Sequence, residues 1–65
     1  MTLEKLFEIV SDEQEVRLIG EGFDEIKGFK ATMEAVLSAK VLAMRVDCVE
    51  ASFEGELKVW VKDDA

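Results

Sequence analysis

The sequence predicts one small α+β domain spanning residues 1–65, with elements in the order α-β-β-α-β-β. The expected architecture is a single antiparallel four-stranded sheet with two helices on one face. Three observations lead there. Apolar residues recur at helical spacing near the N-terminus and again around residues 33–37. They alternate with charged residues in residues 15–19 and 57–62. Glycine-bearing acidic turns at residues 20–22 and 54–56 separate the alternating runs.

The first helix follows from Leu3, Leu6, Phe7 and Val10, which fall on one face. Thr2 is its expected N-cap, with Glu4 in the first turn, and the helix should stop near Ser11. In residues 15–19, Val16 and Leu18 alternate with Glu15 and Arg17, the pattern of a half-buried strand. Gly20-Glu21-Gly22 turns the chain into a second strand over residues 25–29, weakened by Gly28, and the two strands form a hairpin. A second helix is expected from Ala31 to about Lys40, with Thr32 as N-cap and Met33, Val36 and Leu37 buried.

A closing hairpin is expected from residues 46–53 and 57–62. Its register can be argued from the pleat, because a one-residue slip sends every side chain to the opposite face. A two-residue turn at Glu54-Gly55 would oppose the two apolar sets. A loop one residue longer pairs Phe53 with Leu57 and brings Val49, Ala51, Phe53, Leu57, Val59 and Val61 to one face. The longer loop is therefore expected, although the Glu-Gly dipeptide favours the shorter one.

A 65-residue chain buries a modest core, so disulfides, metals or self-association usually assist it. Cys48 is the only cysteine and there is no histidine, which excludes an internal disulfide and a tetrahedral zinc site. Self-association remains, and a homodimer is expected. The single cysteine suggests a reducing compartment. Glu4, Lys5 and Glu8 interrupt what a secretory leader needs, and no apolar run approaches a membrane span, so a cytoplasmic location is expected.

Fifteen acidic residues against 8 basic ones give a net charge of −7. Direct nucleic-acid binding needs basic clusters that the chain lacks, and an anionic membrane surface would repel it. The acidity fits solubility, a basic protein partner or imitation of a nucleic acid. The clusters at Asp12, Glu13 and Glu15, at Glu21, Asp24 and Glu25, and at Glu54 and Glu56 read first as a solvated rim. They lack the alternating oxygen ligands around a glycine that a calcium loop requires. Cys48 has no histidine base and lies beside Asp47, so it reads as a strand residue rather than a nucleophile. Gly20-Glu21-Gly22 lacks the third glycine of a phosphate loop, and Glu21 would repel a phosphate. No catalytic residue, cofactor site or metal ligand set is expected, and no enzyme.

Trp60 carries the most functional information. In the favoured register it points away from the core between Lys58 and Lys62, on the face that also holds Glu50 and Ser52. An outward tryptophan on an open sheet suits a self-association or partner surface. The competing reading is packing against a helix end or against its lysine neighbours.

The runs TLEKLFEIVSDEQEVRLI, ATMEAVLSAKVL and RVDCVEASFEGELKVWVK together resemble the small reading frames of phages, prophages and integrative elements of Gram-positive bacteria. The resemblance covers nearly all the chain as a pattern, without a diagnostic motif. It implies no activity. It does bring in the class of small acidic phage proteins that inhibit host defence, including anti-CRISPR proteins and DNA mimics, although no residue maps onto a known inhibitory site. The expected function is a protein-binding module acting on an unknown protein. The alternatives are an acidic nucleic-acid mimic that binds a nucleic-acid-binding protein, and a small-ligand sponge whose pocket between subunits, lined by Arg17, Arg45 and the lysines, would take a phosphate ligand.

Overall fold

The computed structural model describes residues 1–20 and 25–63. The elements are α1 (Leu3–Phe7), β1 (Glu15–Gly20), β2 (Ile26–Phe29), α2 (Lys30–Val36), α3 (Ala39–Leu42), β3 (Arg45–Ala51) and β4 (Glu56–Lys62). The α+β class and four strands stand as expected. The sheet, however, is mixed rather than antiparallel. Its order is β2-β1-β4-β3, with β1 and β4 parallel and each flanked by its antiparallel hairpin partner.

The mixed order has a physical cause. Two hairpins can join only through one strand of each. β2 is four residues long and contains Gly28, while β3 carries a bulge between Val46 and Cys48. Both are poor central strands. β1 and β4 bring the strongest apolar alternation, Val16 and Leu18 beside Leu57, Val59 and Val61. Pairing these two builds the buried centre, and their common direction makes the join parallel.

The core lies on one side of the sheet. Leu3, Leu6, Phe7, Met33 and Met44 pack with Val16, Leu18, Val59 and Val61, and Leu37, Val41 and Leu42 add partly buried contacts. The helices therefore share one face. Thr2 caps α1 as expected, its Oγ1 accepting from Lys5 N at 3.3 Å. The helix itself is shorter than expected, ending at Phe7.

The expected second helix is two. Leu37 and Ser38 are extended, and Ser38 Oγ accepts from Val41 N at 3.3 Å, so Ser38 starts a separate turn instead of continuing α2. α2 begins after Phe29, not at Thr32, and has no side-chain cap. Its contribution to the core is Met33, while Val36 is 70% exposed.

The closing hairpin also shifts. Ser52 N donates to Glu56 O, Gly55 N donates to Ser52 O, and Gly55 has φ +83°. The loop is a turn through Phe53 and Glu54 closed by a left-handed glycine, the common three-residue hairpin loop. Ala51 thus opposes Leu57 and Val49 opposes Val59. The shift is two residues from the expected register, so each strand residue keeps its face, but Val49 and Ala51, expected in the buried set, are exposed at the sheet edge. Phe53 departs further: expected on the core face, it stands fully exposed in the loop. The Gly20-Glu21-Gly22 turn lies partly outside the described residues.

Candidate functional site

Because all three helices pack on the core side, the opposite face of the sheet is uncovered among the described residues. Strand alternation assigns to it Glu15, Arg17 and Ile19 from β1, Lys27 and Phe29 from β2, Arg45, Cys48 and Glu50 from β3, and Glu56, Lys58, Trp60 and Lys62 from β4. The four residues singled out from the sequence are brought together here. Glu50 is the cross-strand partner of Lys58, and Trp60 lies between Lys58 and Lys62 along β4.

Trp60 is half-buried. Its lateral neighbours are Ile19 on β1 and Cys48 on β3, and a shallow cleft of about 250 Å³ runs beside it, lined by Ile19, Gly20, Asp47, Trp60, Val61 and Lys62. Lys62 Nζ lies 4.0 Å from Asp47 Oδ1 at its rim. A second cleft of about 240 Å³ lies further along the same face, lined by Arg17, Ser52, Phe53, Glu54, Glu56 and Lys58. Lys58, two residues before Trp60 on β4, lines this second cleft on the side nearer the tryptophan.

Sequence reasoning missed the charge network under the second cleft. Glu56, expected on a solvated rim, is 5% exposed. Its Oε1 lies 2.9 Å from Arg17 Nε, and Lys27 Nζ is 3.8 Å from its other oxygen. Glu25 Oε1 approaches the same Arg17 nitrogen at 3.2 Å. That N–H meets hydrogen-bond geometry with neither carboxylate, so charge attraction rather than a directed bond holds the cluster. Gln14 clamps the adjoining turn, its Nε2 donating to Gly55 O at 2.6 Å and to Glu15 O at 2.9 Å. The alternation of Arg17 with Val16 and Leu18 signals an outward cation, but Glu56 is reached only through the parallel β1–β4 pairing.

On the helix side, Lys30 is buried and its Nζ donates to Asp12 at 2.8 Å and to Glu34 at 3.4 Å. The Asp12 hydrogen bond raises the lysine above its ordinary pKa of 10.5, burial opposes the shift, and the charges of Asp12 and Glu34 add to it. This cluster ties the loop before β1 to α2.

No helix among the described residues is long and apolar enough to cross a membrane. Among the described residues, no group of three or more cysteine or carboxylate side chains is placed to hold a metal ion. Comparison with known protein families, with curated proteins and with solved structures gives no match.

Proposed function

We propose that this chain is a protein-binding module whose contact surface is the uncovered face of the sheet. The observation that carries this reading is Trp60, half-buried on that face between Ile19 and Cys48 with no helix over it. A large aromatic held by its strand neighbours, with one side open to solvent, anchors an interface at little entropic cost. Arg17, Lys27, Arg45, Lys58 and Lys62 place five of the chain's 8 basic residues on this face, against Glu15, Glu50 and Glu56. The face is therefore of mixed charge on a chain of net charge −7, and it suits a partner surface with both apolar and charged positions. The resemblance to small phage and mobile-element proteins makes a bacterial host protein the first partner class to try.

The acidic-mimic reading draws less support. Asp12, Glu25 and Glu56, members of the clusters that suggested it, each face a lysine or arginine at ion-pair distance. Clefts of about 240 and 250 Å³ within one chain fall below the roughly 300 Å³ at which small-molecule sites begin, so a ligand sponge would need its pocket between subunits.

Capture from a Gram-positive bacterial lysate, washed at low and at high salt, tests the reading. A protein retained at high salt by the parent and lost with Trp60→Ala is the expected result. Retention that collapses with salt and is indifferent to Trp60→Ala would favour the acidic mimic instead.

A further inference from the structure

We propose that a second copy of the chain pairs antiparallel along the outer edge of β3, over residues 47–51, about a two-fold axis through Val49. This stands independently of what the open sheet face binds.

β3 is an edge strand, and only its first part is covered. Val46 N donates to Met1 O at 2.8 Å, Leu3 N donates to Met44 O at 2.9 Å, and Thr2 bridges Arg45. Beyond the bulge between Val46 and Cys48, no described residue pairs with the outer edge. The hydrogen-bond alternation of an antiparallel ladder shows which groups lie there. Ser52 N donates to Glu56 O and Glu56 N donates to Ser52 Oγ, so Ser52 turns its N–H toward β4 and the two form a hydrogen-bonded pair. Counting back in twos, Glu50 with Lys58 and Cys48 with Trp60 are bonded pairs as well. Val49 and Ala51 therefore turn their N–H and C=O groups away from β4, toward the free edge. Both side chains are exposed, and Val49 at 43% is among the large apolar residues left in water.

A second copy fits this edge in one register better than its neighbours. An axis through Glu50 would set that carboxylate against its own copy, a like-charge pair. An axis through Cys48 would place Glu50 opposite Val46, whose N–H already serves Met1, and would leave only residues 47–49 to pair. An axis through Val49 uses the whole free segment. It sets Val49 against Val49, Cys48 against Glu50 and Asp47 against Ala51, with no like charges opposed. Each Val49 N–H then meets the other copy's Val49 C=O. An unpaired edge of a 65-residue domain with a small core is thereby closed. The two sheets become continuous with their open faces on the same side, and the two Trp60 residues lie three strand spacings apart and two residues out of step, about 16 Å in all.

Sedimentation across a concentration series, with two variants, tests the proposal. Val49→Pro removes an N–H that the β3–β4 ladder does not use, so the fold survives, as circular dichroism would show. The dimer should weaken about tenfold or more. Glu50→Cys places a thiol opposite Cys48 of the second copy in a non-bonded pair, with Cα atoms about 4.5 Å apart, close enough for a disulfide. Mild oxidation should cross-link this variant faster than the parent, in which the two Cys48 residues are offset. Trp60→Ala should leave the dimer intact. A chain that sediments as a monomer at every concentration overturns the proposal. So does a dimer that Val49→Pro leaves unchanged, and cross-linking of Glu50→Cys no faster than the parent overturns the register.

Discussion

Replacing Arg17 removes the nearest cation from Glu56 while leaving that carboxylate buried, the most damaging way to break an ion pair. Arg17→Ala should therefore destabilise the fold by about 2 kcal/mol, read from urea denaturation. Lys27→Ala, which removes a well-exposed lysine 3.8 Å from Glu56, should cost well under 1 kcal/mol, roughly the value of a surface pair. Equal losses would show that the cluster is not organised around Arg17. Lys30 gives a pH-dependent counterpart. Its folded pKa is raised above 10.5, so its contribution is fully present below that value and is lost as pH rises through the folded pKa. Unfolding midpoints should fall more steeply above about pH 10.5 in the parent than in Lys30→Met. Identical slopes would remove Lys30 from the account. Neither partner set was legible in the sequence. Asp12 and Lys30 are 18 positions apart, and Arg17 and Glu56 meet only across a parallel pairing that no local pattern announces.

At the scale of elements, local chemistry was legible where one residue decides the geometry. Thr2 caps α1, and Leu3, Leu6 and Phe7 form its buried stripe as their spacing requires. The strand faces were readable too, because the side-chain period of two survives a two-residue shift in register. Loop details were not. Gly55 takes the left-handed position, which moves the loop to Phe53, Glu54 and Gly55 and expels Phe53 from the core set. Gly55→Ala meets no neighbouring atom, so its cost should be purely conformational, about 1 kcal/mol, read as a drop of roughly 4–8 °C in Tm. An unchanged Tm would contradict the turn assignment. Ser38 divided a helix that apolar spacing alone would continue, because its hydroxyl offers the backbone a competing start. Val36 departs from the expected stripe on other grounds: it lies within α2, three residues after the buried Met33, yet is 70% exposed.

At the scale of the whole molecule, the order β2-β1-β4-β3 decides which surface is free. Strand order depends on which hairpin edges are fit to be central, and that follows from the bulge and length of β3 and β2, features visible only after folding. The open face was nevertheless legible in outline, since Glu50, Lys58, Trp60 and Lys62 share it in either register compatible with a buried Val59. What the sequence concealed was its extension toward Phe53, Arg17 and Glu56. The sole tryptophan of the chain makes the central claim directly measurable. Emission from Trp60, recorded with acrylamide as quencher, should shift to the blue and become protected when a captured partner is added to the parent protein. Ile9→Ser, which alters an exposed apolar residue beyond α1 on the helix side, should behave as the parent does. Binding that leaves both the Trp60 emission and its quenching unchanged would place the partner elsewhere and contradict the assignment of the open sheet face.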